Sequence, residues 1–360
     1  MIGALRLGLV APMPPPNGGM AMQARQLKQL LEGEGVAVCF LPTNGPYRPA
    51  WVGRLRGLRA LARLLPYLVQ ICRLARRVDV IHLMANSGWA WHLFAAPVLW
   101  LAPLFGTPVI VNYRGGEAER FFRRSFRWVR PSLHRAARVV VPSGYLEQVF
   151  ATRGETVEVI PNIIDRSVFA PAPETVDHEG FVFAITRNLE PIYGIDTALH
   201  ALALLPQRYG ARLAIAGSGP AEEELRALAA ALGITGQVAF LGRLDRDAIA
   251  GLYHRADAML NPTTVDNMPN SLLEAMACGL PVVSTDVGGV PFMVRHDESA
   301  LLIPAGDPHR MAMAMQRLID EPALREKLRE AALSAVKAFE WSQVGPQWIA
   351  AYAELAGKRP

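Results

Sequence analysis

The chain has 360 residues, 51% hydrophobic and 19% charged, which excludes a disordered or fibrous chain and leaves apolar mass for two domains of ordinary size. Three widely spaced cysteines (Cys39, Cys72, Cys278) and eight histidines without ligand-like spacing exclude a disulfide scaffold and predict no metal held by protein ligands; the cysteines read as buried thiols in a reducing compartment. The net charge of +5 is uneven: residues 1–165 hold 20 Lys and Arg against 9 Asp and Glu, a net of +11, and the remainder holds 17 against 23, a net of −6, so the basic half suits nucleic acid, an anionic membrane surface or a phosphate-bearing acceptor.

Leu5–Val10 reads as a buried strand rather than a signal peptide, because its apolar run is short and leads to a Pro-rich loop without a small-residue cleavage site. That loop ends in Gly18 and Gly19, which let the backbone approach a ligand with helix N–H groups behind it. A helix over about residues 20–34 and a strand Val36–Leu41 follow, the beginning of a doubly wound α/β sheet. The loop is neither GxGxxG nor GxxxxGK[ST], so neither a dinucleotide nor a P-loop reading is supported.

Trp51–Val78 carries seven arginines and no acid. Leu55, Leu58, Ala62, Leu65 and Val69 fall at helical spacing and predict an apolar stripe, which Pro66 should break or kink. Two readings stand: a surface helix packed on the sheet, or a basic amphipathic helix lying on an anionic membrane. The apolar run Gly88–Val111 is punctuated by His92, Pro97, Pro103, Gly106 and Pro108, and reads as a buried helix, a turn and a strand rather than a membrane span. Strands at Asp79–Leu83 and from Val109 should open on the crevice where such sheets bind ligands, with His82 at one strand end and Arg114 at the other. An arginine there favours an anionic partner. A second basic run, 120–138, interleaves arginines with aromatics but carries no nucleic-acid module signature. Val139–Ser143 and Val157–Asn162 close the first half, and the Pro-rich stretch 166–180 reads as a linker.

The second half opens with a strand over 180–186, then Arg187 to Gly194 and a helix from about Ile195. Strands at 212–216, 238–241 and 257–260 follow, each ending in a turn. In Asn261–Val283, Asn270 is a good N-cap, residues 271–278 are helix formers, and Gly279 and Pro281 stop the helix before a short buried strand. Asp266 lies in the loop and Glu274 in the helix, with residues 267–270 at the helix N-terminus, where backbone N–H groups favour an anion. A carboxylate beside an anion site suits a sugar nucleotide, whose diphosphate takes the helix end and whose hydroxyls take the carboxylate.

Asp266-x7-Glu274 followed by Ala-Met-Ala-Cys-Gly-Leu-Pro-Val-Val resembles the signature of the family 4 glycosyltransferases, which usually has Glu at both ends. Val-Ile-Pro-Asn-Ile-Ile-Asp at 159–165 resembles the family's interdomain segment, with Ile163 where Gly is common. Arg187 fits the family's Arg-x4-Lys-Gly loop, but Tyr193 replaces the lysine and the spacing is one residue longer; Arg114-Gly115 stands where many members have His-Gly. The resemblance implies a GT-B fold: a Rossmann-like acceptor domain over 1–165, a Rossmann-like donor domain over 166–340 facing it across a cleft, and a helix over 341–360 that crosses back. It implies a retaining transfer of sugar from a nucleotide diphosphate to an acceptor hydroxyl. Arg187, Asp266 and Arg114 are the expected catalytic groups. Gly18, Gly19, Tyr193, Asn267, Met268, Pro269 and Asn270 should bind the donor, with Glu274 on the ribose hydroxyls. His82 and Glu117 are assigned to the acceptor side. The resemblance implies no metal and no other cofactor. The expected acceptor is a glycan or lipid-linked glycan of envelope or exopolysaccharide assembly, reached from the cytoplasm at the inner face of the plasma membrane, with no nucleic-acid partner. The alternatives are a GT-B sugar-nucleotide epimerase and a basic nucleic-acid-binding protein.

Overall fold

The computed structural model describes residues 5–15, 18–45, 58–172 and 180–357, with the backbone alone over 58–62. The chain divides into two compact units, Met1–Ile163 with Trp341–Pro360, and Ile164–Glu340.

The first unit holds six parallel strands: β1 (Arg6–Ala11), β2 (Ala37–Pro42), β3 (Val80–Ala85), β4 (Val109–Tyr113), β5 (Arg138–Val141) and β6 (Glu158–Val159). Their order is β2-β1-β3-β4-β5-β6. Side chains alternate between two cores, as the strand period demands. Leu7, Leu9, Val80, Met84 and Ile110 pack on one face against α1 (Gly19–Gly33) and α12 (Trp341–Ala356). Val10, Ile81, Leu83, Val109 and Val111 pack on the other against α2 (Leu58–Ala75), α3 (Ala96–Leu101), α4 (Ala118–Leu133) and α5 (Gly144–Ala151). Covered on both faces, β3 and β4 are buried at every position, hence their unbroken apolar runs.

Several expectations are corrected here. β3 runs three residues past His82, so this histidine is mid-strand rather than at a strand end. α2 continues through Pro66. Its buried face is Tyr67, Ile71 and Ala75, at a four-residue spacing, while Leu65 and Val69 of the expected stripe point to solvent. Leu55, Arg54 and Arg56, and the side chains of Leu58, Arg59 and Ala62, lie outside the described residues. The 88–111 run is a π-turn (Trp91–Ala95), α3 and a 3-10 turn (Ala102–Phe105), but it is not wholly buried: Trp89, Trp100 and Leu104 are exposed. Cys39 is exposed on the edge strand β2, not buried; Cys278 is buried, and all three cysteines are unpaired.

The second unit repeats the scheme with β7 (Val182–Thr186), β8 (Arg212–Ala216), β9 (Val238–Gly242), β10 (Ala258–Asn261), β11 (Val282–Thr285) and β12 (Leu301–Ile303), all parallel, in order β12-β11-β10-β7-β8-β9. β12 escapes sequence reading because it is only three residues long and sits at the sheet edge. α6 (Ile195–Leu204), α7 (Glu222–Ala231) and α10 (Pro308–Asp320) cover one face. α8 (Arg246–His254), α9 (Asn270–Ala277) and α11 (Pro322–Ala335) cover the other. The described part of the expected linker is packed: Phe169 is 1% exposed and its ring lies 6.3 Å from that of Tyr253. Burying a phenylalanine stabilises by roughly 2–3 kcal/mol, which ties the segment down. Residues 173–179 of that linker lie outside the described residues.

Candidate active site

In parallel α/β sheets, loops at the carboxyl ends of the strands gather ligand-binding groups. In the second unit the loops after β7 and β10 bring Arg187, Tyr193, Asn261, Asp266 and Asn267 together. Asn261 ends β10 and is fully buried. Its Nδ2 donates to Ser284 Oγ on β11 at 2.9 Å, so its Oδ1 is turned to accept from Arg187 Nε at 3.1 Å and Nη2 at 2.9 Å. Arg187 also pairs with Asp266, and its guanidinium carbon lies 5.0 Å from the Tyr193 ring centroid, within cation–π range. The second carboxylate oxygen of Asp266 accepts from the Asn267 backbone N–H at 2.9 Å. The side chains of Arg187 and Asp266 are 12% and 13% exposed, so the pair is sheltered but open to a ligand. Tyr193, standing where the family has a lysine, brings no charge; it braces the arginine by its ring, and burial raises its own pKa.

The 286–291 turn supports this loop through glycines. A Cβ on Gly289 would lie 1.6 Å from the Asn267 carbonyl oxygen, and one on Gly288 1.9 Å from that of Asp266. Only hydrogen fits there, and the Gly289 N–H donates to the Asp266 carbonyl at 3.1 Å. These glycines fix the position of Asp266.

α9 begins at Asn270 and is preceded by Pro269 in the cap position, so the expected Asn270 cap is corrected. Pro269 is extended, at φ −66° and ψ 119°, which leaves Asn270 as the first helical residue. The side chain of Met268 belongs to the core, which leaves only its backbone to face a ligand. Glu274 is half-buried, and its carboxylate has no hydrogen-bond or ion-pair partner among the described residues. Burial raises its pKa to about 7, against the opposing charges of Arg246 and Arg187. An unpaired, sheltered carboxylate near a fixed guanidinium is suited to accept hydroxyl hydrogen bonds.

The first unit places its candidates differently. His82 is wholly buried: Nδ1 and the Tyr352 hydroxyl are 2.6 Å apart, Nε2 lies 3.2 Å from Asn112 Nδ2, and the Trp348 ring lies over it at 4.5 Å. Burial, then the charge of Arg114, hold its pKa down to about 3, so it is neutral. The acceptor-side role expected of His82 is therefore corrected: it ties α12 to β3 and presents no face to a substrate. Glu117 is exposed at the start of α4 and pairs with Arg120 at 3.1 Å. Arg114 follows β4, half-buried, with its guanidinium on the Asn162 carboxamide oxygen. Gly18 precedes α1 with extended backbone, and a Cβ there would meet nothing within 4 Å, so no packing among the described residues demands a glycine. Among the described residues no group of three or more His, Cys, Asp or Glu is gathered as metal ligands, and no helix is long and apolar enough to cross a membrane.

Sequence reading missed Asn261, which orients the arginine, and Arg246, whose charge acts on Glu274. Asn261 left one signal, a polar residue closing an apolar strand. Arg246, on α8, left none.

The chain spans about half the length of the first curated relatives it matches. It is 30% identical over 59% of its length to 51% of a D-inositol 3-phosphate glycosyltransferase of Acidothermus cellulolyticus. A relative with that same name from Segniliparus rotundus is 27% identical over 93% of this chain and 84% of that one. Sucrose-phosphate synthase from Thermosynechococcus elongatus superposes with a TM-score of 0.79 at 20% identity, covering 98% of this chain and 99% of that one. Anabaena HepE in complex with UDP superposes at 0.78 and 20% identity, covering 97% and 100%. These likenesses show the GT-B fold. The family model described as glycosyl transferases group 1 matches residues 169–334, and that described as glycosyltransferase family 4 matches 17–168. Between them the two models take in nearly all of both units, and the chain belongs to the family 4 glycosyltransferases.

Proposed function

We propose that the protein transfers a sugar from a nucleotide-diphosphate donor to an acceptor hydroxyl with retention at the anomeric carbon. The bond from that carbon to the donor's distal phosphate oxygen breaks, the bond to the acceptor oxygen forms, and the acceptor's proton leaves with the diphosphate. The observation that carries the reading is the Arg187–Asn261–Asp266 cluster with Glu274 nearby, unpartnered among the described residues. Arg187, fixed before a ligand arrives, stabilises the departing diphosphate, a role typically worth ~10²–10³ in rate for one preorganised donor. Glu274 accepts from the ribose hydroxyls, Asp266 lies toward the donor sugar, and backbone groups at 267–270 complete the donor's hydrogen bonds. Neither a metal nor another cofactor is required, so EDTA leaves turnover unchanged. HepE is solved with UDP, which makes UDP-sugars the first donors to try. A melting-temperature rise with one nucleoside diphosphate, lost in Arg187→Ala, is the expected result. A well-folded sample that shifts with no nucleoside diphosphate or sugar nucleotide would overturn the donor assignment.

The acceptor is proposed to be lipid-linked and met at the inner face of the plasma membrane, as in envelope or exopolysaccharide assembly. The support is a single helical layer. The Tyr67 hydroxyl of α2 donates to the Phe94 carbonyl at 2.9 Å, and Trp100 of α3 donates to Ser132 of α4 at 3.1 Å. That layer exposes Leu65, Trp89, Trp100, Leu104 and Trp128 among the α4 arginines. Indoles beside guanidinium groups, such as Arg135 3.7 Å from the Trp100 ring, suit a headgroup interface. Salt-sensitive sedimentation with phosphatidylglycerol vesicles, reduced in Trp128→Ser, is the expected outcome; equal sedimentation with neutral vesicles and no effect of the variant would remove the membrane from the reading.

A further inference from the structure

A guanidinium that is sheltered from water is costly unless a counter-charge or a ligand compensates it. Arg187 has one in Asp266. Arg114 has none. Its one side-chain hydrogen bond among the described residues goes to the neutral carboxamide of Asn162. The surroundings are neutral as well. His82, close enough to feel the charge of Arg114, is held uncharged between Tyr352 and Asn112. Glu117, three residues on, is exposed and turned to Arg120. The stretches of this unit outside the described residues, 1–4, 16–17, 46–57 and 358–360, contain no Asp or Glu at all. So no Asp or Glu side chain of the first unit supplies a carboxylate to Arg114.

A purely structural role explains this poorly. Tying β4 to the 160–163 segment takes one N–H donor and no charge, and a glutamine would do it with a smaller desolvation penalty. Arginine brings five donors in a planar fork, of which Asn162 engages the Nη2 group only. The unused edge of the fork matches two oxygens of a phosphate or carboxylate. Burial alone draws the Arg114 pKa down to about 10, and the group is still cationic at neutral pH.

We propose that Arg114 is a binding residue for an anionic substrate group, a phosphate or carboxylate, and that this group belongs to the acceptor. The second unit already has its own arginine for a diphosphate, and Arg114 belongs to the other unit. The assignment to an acceptor rests on the transferase reading above; the anion site does not.

The test uses the full chain, with melting temperature read against inorganic phosphate in the presence of saturating UDP, and separately against UDP. Wild type is compared with Arg114→Gln, Arg114→Lys and Arg187→Gln. The expected result is a phosphate half-effect concentration raised at least ~10-fold in Arg114→Gln, equivalent to 1.4 kcal/mol. UDP binding should stay within about twofold, and Arg114→Lys should keep part of the phosphate response through its point charge. A loss of UDP binding in Arg114→Gln with an unchanged phosphate response overturns the assignment to an acceptor and moves Arg114 to the donor diphosphate. Unchanged responses to both ligands overturn the proposal. If Arg114→Gln does not fold, the lysine variant carries the test: a phosphate response equal to wild type there removes the bidentate role. Arg187→Gln separates the two readings, since UDP binding that survives it sinks the donor clamp and leaves the phosphate result standing.

Discussion

Two arginines follow strands of two separate parallel sheets, Arg114 after β4 and Arg187 after β7, and they are neutralised differently. Arg187 is held by an amide, a ring and the carboxylate of Asp266. Arg114 is held by one amide oxygen. A buried charge is stable when its partner is built in, and is tolerated without one where a ligand completes the site. The first arrangement protects a cation until an anion displaces or joins its carboxylate. The second leaves a cation whose compensation arrives with the substrate. Residue type alone cannot separate the two cases; what surrounds the guanidinium does.

The largest expected effect comes from removing the paired cation. Arg187→Ala should lower kcat/KM by about 10²–10³-fold, the usual loss for one preorganised oxyanion donor, and should leave Asp266 without its partner. A loss below tenfold in a steady-state assay with the identified donor would move the clamp elsewhere. His82 offers the next contrast, a buried titratable group of the first unit that stays neutral. Its folded pKa lies below its unfolded value of about 6.5, so stability is lost as pH falls from there toward about 3, at about 1.4 kcal/mol per pH unit. At pH 5 that amounts to about 2 kcal/mol, and His82→Gln should flatten this part of the melting-temperature profile. A slope unchanged in the variant would assign it to another group.

The sheets and the helices between them were legible because the strands are central and doubly covered, and read as apolar runs closed by Gly or Pro. The family's motif residues were legible as residue types. What each of them touches was not. Asp266 could be placed in a loop, but its pairing with Arg187 depends on the glycine turn at 288–289, over twenty residues away, which presses the loop into position. His82 looked like a strand-end group because the register of β3 against β1 and β4, which carries the strand on to Ala85, is a tertiary fact. The same holds for α2. Spacing alone allowed Leu65 and Val69 as a buried stripe, and the sheet selected Tyr67 and Ile71 instead.

Glu274 and Asp266 give the smaller effects. The folded pKa of Glu274 is raised to about 7, so its contribution to stability is present at low pH and is lost as pH rises from the unfolded value of about 4.5 toward 7. Glu274→Gln should therefore raise the melting temperature at pH 8 and leave it unchanged at pH 4. Nucleotide affinity should move the other way. A carboxylate accepts ribose hydroxyls best when ionised, so wild-type affinity should fall by up to about tenfold per pH unit below 7, and the glutamine variant should lose that dependence.

Asp266→Asn is the sharpest comparison of the two arginines, because it makes Arg187 resemble Arg114. The amide keeps the size and the oxygen that accepts from the Asn267 N–H, and removes the counter-charge. A freed guanidinium has more to gain from a diphosphate, and UDP should bind about three- to tenfold more tightly, the order of an exposed-to-sheltered ion pair of about 1 kcal/mol. Turnover should fall at the same time if Asp266 also faces the donor sugar. Asp266→Glu, which restores the family's residue, should return UDP affinity to the wild-type range while keeping the charge. If UDP binds more weakly to Asp266→Asn than to wild type, the carboxylate is holding Arg187 in its binding position rather than shielding it, and the internal partner is then part of the anion site itself.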